Sequence, residues 1–244
     1  MQIQGEKRLW KENNGEEKMV QHMKRIATPR SWPIHRKEDT WVSAPKGGHS
    51  YELSLPVNVV LNDMLKIVKT RKESRYIIFN KNVLVNGKKV NSERVQVGLF
   101  DVLSLPEIKA NFTLLLNSRG KLKISELDEK AAESKLSKVI GKTYLPDKKV
   151  QLNLFGGINT VVKKDEYSVG DSLIISLKDY KVSDHIKLEK GAVVYFLTGK
   201  NISKTAVVES IEGSVLICKS DDREIRVAKK DAIVVGKGKQ AIKL

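Results

Sequence analysis

Apolar positions along the chain change period several times, and each change predicts an element. Val57, Leu61, Met64, Leu65 and Val68 recur at i, i+4, i+7, i+8 and i+11, one face of a helix within residues 53–68. Pro56 suits the first turn of that helix. A second short helix is predicted over residues 71–81, with Ile77 and Ile78 inward. Arg71, Lys72 and Arg75 lie three and four apart and share its outward face. Residues 83–90 place Asn86-Gly87 between branched side chains, the strongest short-range hairpin signal. Strands are expected at 102–105 and 112–116, the second closed by the turn Asn117-Ser118-Arg119-Gly120. A helix is expected from a cap at Ser125 through Leu136.

Further on the period falls to two. Val150, Leu152 and Leu154 alternate with Gln151, Asn153 and Phe155. Gly156-Gly157 turns the chain into a strand at 158–162, and Val169-Gly170-Asp171 into another at 173–177. Short strands between turns suggest a small barrel. Five more strands, at 192–197, 206–211, 215–218, 224–227 and 233–235, suggest a second. Residues 1–50 hold neither period for long, and Pro45-Lys46-Gly47-Gly48 ends them with turn chemistry. The fold class expected is α+β and rich in β-structure. Its parts are an arm (1–50), a unit of two helices and a hairpin (51–108), a central β-barrel-like unit (109–188), a C-terminal β-barrel (189–236) and a basic tail (237–244).

Composition adds the partner. The 244 residues include 45 Lys and Arg against 29 Asp and Glu, a net charge of +16 and a pI near 9.7. The surplus runs along the whole chain rather than sitting in one tail, which suits contact with a polyanion over much of its length. Hydrophobic residues make up 40%, enough for packed cores. Residues 18–37 are locally extreme: Lys18, Lys24, Arg25, Arg30, Arg36 and Lys37 with no acid, and with His22, Trp32 and His35 interleaved. Pro29 and Pro33 break any helix there. An extended basic arm bearing aromatics can track phosphates and stack on bases, and it is expected to be coil without RNA.

Several classes drop out. Cys218 stands alone, so neither an intrachain disulfide nor a Cys-x-x-Cys zinc site is available. The longest apolar run, residues 192–197, falls far short of the ~18 residues needed to span a bilayer. The charged residues of the first eight positions are not followed by an apolar core, so no secretory signal is expected. There is no His-Glu-x-x-His, Gly-x-Ser-x-Gly or phosphate loop. His22, His35 and His49 fall in the arm, and His185 reads as an ordinary surface histidine. Cys218, in an apolar strand, reads as a buried small hydrophobe. The acid pairs Asp128-Glu129, Asp165-Glu166 and Asp221-Asp222 fall in turn or helix contexts. No enzyme activity, metal or cofactor is expected.

The segment Met23-Lys24-Arg25-Ile26-Ala27-Thr28-Pro29-Arg30-Ser31-Trp32-Pro33-Ile34-His35-Arg36-Lys37 resembles a signature of the archaeal and eukaryotic small ribosomal subunit protein S-four-e family. The resemblance covers roughly residues 18–238, with its motifs in family order. Residues 55–105 look like its S-four-type RNA-binding domain, and residues 190–235 like its KOW-type, SH3-like barrel. Gln151-Leu152-Asn153-Leu154 and Tyr167-Ser168-Val169-Gly170-Asp171 resemble its central domain. Two departures stand out: Ala206 where KOW motifs usually carry glycine, and Asn62 where relatives often have arginine. Residues 1–17 have no recognised counterpart and are expected to be a lineage-specific extension, or the result of an upstream start ahead of Met19.

The resemblance implies a structural constituent of the small subunit, cytoplasmic and ribosome-bound. Its implied partners are small-subunit rRNA and neighbouring ribosomal proteins, with no membrane and no small-molecule substrate. The expected RNA contacts are Lys24, Arg25, Arg30, Trp32, His35, Arg36, Lys37 and Lys46 of the arm. Arg71, Lys72 and Arg75 of the second helix, with Lys88 and Lys89 of the hairpin, are expected to form one patch. The alternative is a non-ribosomal RNA-binding factor, or an RNA-modifying enzyme carrying an S-four-type domain. Against the enzyme, residues 106–244 read as two small barrels, with no room for a catalytic domain.

Overall fold

The computed structural model describes residues 22–146, 149–163, 165–220 and 223–237. The expectations for residues 1–21, including Lys18 and Met19, and for the tail beyond Lys237 lie outside the described residues.

The arm folds back on itself: β1 (His22–Lys24) pairs antiparallel with β2 (Trp41–Ser43). It is thus not an extended coil over this stretch. β3 (Ser54–Pro56) leads into α1 (Val57–Val59), which continues as a π-helical segment, Val60–Met64. The helix expected to reach Val68 stops early because its last turn widens. Leu65 N–H reaches Val60 O at 2.9 Å, and Lys66 then takes a positive φ of 53°.

α2 (Arg71–Asn80) opens on a full capping box, in which Thr70 Oγ1 accepts from Glu73 N–H and the Glu73 carboxylate accepts from Thr70 N–H. β4 (Leu84–Val85) and β5 (Lys88–Lys89) turn at Asn86 and Gly87, whose φ values of 51° and 77° are the positive pair a tight hairpin needs. β6 (Gln96–Gly98) pairs with β3. β7 (Val102–Leu105), β8 (Ala110–Leu116) and β9 (Leu122–Leu127) complete a sheet ordered β5-β4-β7-β8-β9. This sheet continues past residue 108.

The helix expected over 125–136 is absent. Ser125 lies in β9, Ala131–Glu133 form one 3-10 turn, and Leu136 lies in β10 (Ser134–Leu145). Pairing wins over local preference here. β8 and β9 zip from the Asn117–Gly120 turn in register from Leu116↔Leu122 to Asn111↔Leu127, and the start of β10 pairs with β13.

β11 (Lys149–Leu154), β12 (Asn159–Val162), β13 (Ser172–Ser176) and β14 (Val182–Ile186) join β10 in the order β12-β11-β10-β13-β14. β10 changes partner at the irregularity between Val139 and Gly141. The last sheet holds β15 (Ala192–Phe196), β16 (Thr205–Glu212), β17 (Val215–Ser220), β18 (Arg223–Ala228) and β19 (Ala232–Lys237), ordered β18-β17-β16-β15-β19. Among the described residues no ladder joins β12 to β14 or β18 to β19. Both units are five-stranded antiparallel sheets with two edges, not barrels closed by hydrogen bonds. Ala206 sits buried inside β16, opposite Val194.

One core runs from Trp32 of the arm through Leu55, Leu61, Ile78 and Leu103 into Val194, Phe196 and Val234 of the last sheet. The central sheet keeps a separate core of Val139, Val150, Leu152, Leu154, Leu173 and Ile175. Polar ties join the sheets within the first core and between the two. Tyr195 Oη donates to Leu116 O and accepts from Leu116 N–H, both at 3.2 Å. Lys138 Nζ donates to Lys229 O, to Lys230 O at 3.2 Å and to Ala232 O at 2.7 Å.

Candidate nucleic-acid interface

The arm's most conspicuous aromatic is structural. Trp32 is 2% exposed and its Nε1–H donates to Tyr51 O at 2.8 Å. Ser31 O next to it accepts from Leu122 N–H at 2.8 Å. Trp32 pins the arm to the body and offers no face to a base. Arg25 is likewise turned inward and buried. Its Nε donates to His35 O at 2.5 Å, and its Nη2 meets Asp63 Oδ1 at 2.5 Å with Glu38 Oε2 at 3.6 Å. Asp39 lies 3.7 Å from Nη1. Arg25 thus staples residues 35–40 onto the π-helical segment. A run of basic residues cannot reveal which of its members has acids waiting for it.

The remaining arm cations face outward. Lys24, Arg30, His35, Lys37 and Lys46 are exposed, and Arg36 is half-buried.

On α2 Arg71, Lys72 and Arg75 are all exposed, on the outward face expected of them, and two of them also approach an acid. Arg71 and Arg75 turn toward Glu93, a buried carboxylate. Arg71 Nε donates to Glu93 Oε1 at 2.9 Å and Nη2 donates to the same oxygen, while Arg75 Nε stands 3.9 Å from Oε2. The Glu93 hydrogen bond raises the Arg71 pKa further above its ordinary value. Lys72 stays exposed. Beside it Tyr76 and Phe79 are 62% and 51% exposed, four and seven positions on from Lys72. Sequence reasoning missed these aromatics, although placing Ile77 and Ile78 inward already leaves 76 and 79 outside.

At the hairpin, Lys89 is exposed and Lys88 Nζ stands over the Tyr180 ring at 4.6 Å from its centroid. Tyr180 Oη donates to Asn86 O, and a side chain at Gly87 would meet Leu177 O at 2.9 Å. The hairpin tip is therefore docked on the central sheet. Arg71 is hydrogen-bonded to Glu93 and Lys88 rests on Tyr180, while Arg71, Lys72, Arg75, Lys88 and Lys89 all remain exposed.

Beneath these surfaces a buried junction fixes the three N-terminal parts. Asp101 pairs with Lys135 Nζ and with His49 Nε2 at 3.0 Å, and accepts from Gly98 N–H at 2.7 Å. Burial alone would raise the Asp101 pKa, but the Lys135 charge and the His49 hydrogen bond outweigh it and hold the carboxyl well below the usual range. Burial lowers Lys138 to about 8.

Among the described residues nothing else gathers into a chemical centre. Among the described residues no group of histidine, cysteine and acid could hold a metal, and no helix is long and apolar enough to cross a membrane. Cys218 is fully buried and its thiol is pushed up to about 11 by burial, as suits a packing residue. His185 departs from the surface histidine expected. It is half-buried, with Nε2 2.7 Å from the buried Asp171 Oδ2 and its ring tilted against Tyr167.

Comparison with known proteins gives collinear matches. Residues 19–52 match the RS4NT (NUC023) domain, residues 55–103 the S4 domain, and residues 108–182 the Ribosomal family S4e. The chain is 35% identical over 230 residues to the small ribosomal subunit protein eS4 of Methanosphaera stadtmanae, covering 91% of this chain and 95% of that protein. It is 34% identical over 226 residues to the protein of the same name from Korarchaeum cryptofilum, covering 91% and 96%. The crystal structure of the 30S ribosomal protein S4e from Thermoplasma acidophilum superposes with a TM-score of 0.66 at 25% identity, covering 76% of this chain and 96% of that one.

Proposed function

The chain belongs to the ribosomal S4e family, and from that membership we propose that it is a structural, non-catalytic constituent of the small ribosomal subunit that binds small-subunit rRNA. The observation that carries this reading is the collinear likeness to proteins named small ribosomal subunit protein eS4 over 91% of the chain. The net charge of +16 supports it, since neutralised phosphates release counterions and favour the bound state.

The contacts proposed are Lys24, Arg30, His35, Arg36, Lys37 and Lys46 on the arm, Lys72 on α2, and Lys88 and Lys89 at the hairpin. Arg71 and Arg75 are exposed as well and stay among the proposed contacts, Arg71 also tying α2 to Glu93. The last five strands are read as the family's KOW-type unit, and neighbouring small-subunit proteins as further partners in the cytoplasm. Sedimentation of a cell lysate through sucrose gradients at moderate and then high salt tests the whole. The chain is expected to travel with the small subunit and to stay there at high salt. A chain found mainly at the top of the gradient would overturn the reading in favour of a free RNA-binding factor.

A further inference from the structure

A cleft of about 290 Å³ opens between the β1–β2 ladder and the π-helical segment, and of the contacts proposed for the arm, α2 and the hairpin only Arg71 lines it. One wall is Trp41, 56% exposed and braced edge-on by His22, with ring centroids 5.9 Å apart at 63°. Asn58 and Asn62 of the helical stretch line it as well, together with Ser43 and Ala44.

The charges of the lining are sorted. Its acids, Asp39 and Asp63, both face Arg25, at 3.7 and 2.5 Å. Arg71 is hydrogen-bonded to Glu93 but keeps 64% of its side chain exposed. The side chains of Lys69 and Arg94 make no close ion pair among the described residues, and Lys69 adds its charge beside the Glu73 carboxylate. Arg94 is held in place by its Nε–H, which donates to Ala44 O at 2.9 Å. The Asn62 amide nitrogen, in the orientation its neighbours require, donates to Val68 O at 2.7 Å and Lys69 O at 3.2 Å, which fixes the turn carrying Lys69.

Asn58 is 9% exposed and its Nδ2–H donates to Ser43 Oγ at 2.9 Å, but its Oδ1 is buried with no donor. The helix widens to π geometry along this same wall, a distortion frequent at functional sites.

We propose that this cleft receives a single nucleobase turned out of the RNA, stacked on Trp41, with the adjoining phosphate on Lys69 and Arg94. Proteins read unpaired RNA in this way, by aromatic stacking, polar groups at the base edge and cations for the backbone. A base also brings a flat face for Trp41 and polar edges that a phosphate alone lacks, and Asn58, Asn62 and Ser43 give the lining polar side chains to meet them. The proposal rests on the RNA-binding reading and adds to it a site that the arm's lysines do not supply.

The test is equilibrium binding of the full chain to a small-subunit rRNA transcript across a salt series, with wild type, Trp41→Ala and Trp41→Phe. Trp41 is more than half exposed, so its replacement should leave thermal unfolding unchanged, which is checked alongside. Trp41→Ala is expected to weaken binding by about tenfold with the salt slope intact, and Trp41→Phe to recover most of the loss. Photocrosslinking of a 4-thiouridine-bearing transcript is expected to label Trp41 or His22. If wild type binds but Trp41→Ala binds equally tightly and neither residue is labelled, the cleft is wrong and the RNA-binding reading stands. If wild type shows no salt-dependent binding, both fall.

Discussion

Lys135 and Asp101 form an ion pair from which water is excluded, with 0% and 1% of their side-chain areas exposed. Lys135 stands on β10, Asp101 in the turn after β6, and His49 of the arm closes on the second carboxylate oxygen at 3.0 Å. The folded pKa of Asp101 is depressed despite its burial. A carboxyl of this kind contributes stability above its unfolded pKa of ~3.9, and that contribution is lost as pH falls through the folded value. Wild-type stability is expected to decline from about pH 5 downward. Asp101→Asn should be less stable at pH 7 and flatter across the acid range. Lys135→Met, which strands the carboxylate, should cost about 3–5 kcal/mol at pH 7. Thermal unfolding from pH 2 to 7 checks all three, and parallel acid limbs for wild type and Asp101→Asn would rule the pair out as their source.

Gly98 is constrained by the same junction. A methyl group built on it would overlap the His49 imidazole. Gly98→Ala must therefore drive His49 away from Asp101, an overpacking cost of about 1–3 kcal/mol. In a His49→Ala background the same substitution should be nearly neutral. A urea-denaturation cycle over the four variants measures the coupling, and additive effects would mean that the glycine answers to something else.

The sequence carried the α+β, β-rich class, the second helix and the hairpin because each rests on local chemistry. The Thr70–Glu73 capping box and the Asn86-Gly87 turn need no distant partner. The helix expected over 125–136 failed because Ser125–Leu127 zip onto β8 from the Asn117–Gly120 turn, while Ser134–Leu136 pair with β13, a distant partner that no local pattern encodes. The same limit applies to the site. Charge marked the arm, but Arg25 and Trp32 look like their exposed neighbours until Asp63 and Tyr51 are brought up to them. Trp32→Ala is accordingly expected to destabilise the fold by about 3–5 kcal/mol, where a base-stacking residue would leave stability unchanged. Unfolding in urea, measured without RNA, separates the two.

Lys138 ties the central sheet to the last one through three carbonyls, and burial lowers its pKa to about 8. An unfolded lysine titrates near ~10.4, so between these values the unfolded chain binds more protons than the folded one. Stability should therefore rise with pH across that window through this group, and level off above it. The stability of wild type relative to Lys138→Met is expected to shift in favour of wild type between pH 8 and 10. A difference that stays constant over that range would show that the ammonium keeps its proton in the fold.

Two sets of cations near α2 should respond in different ways. Lys72, Lys88 and Lys89 are exposed and have no carboxylate partner among the described residues. Replacing all three with alanine should cost no more than about 0.5–1 kcal/mol of stability, from the lost Lys88–Tyr180 contact. It should also make the salt dependence of rRNA binding shallower, by about 0.7–0.9 in log–log slope for each phosphate no longer neutralised. Arg71→Ala removes the main partner of the buried Glu93 and should instead lower stability, by roughly 1–3 kcal/mol. As an exposed cation Arg71 should also weaken RNA binding when removed, and the conservative Glu93→Gln in the same chain should restore part of the stability, but not the binding, by removing the stranded charge. Paired melting and salt-titration curves on these variants decide the matter. A triple lysine variant with the wild-type slope would take these lysines out of the RNA interface, and leave the arginines of α2 and the arm to carry it.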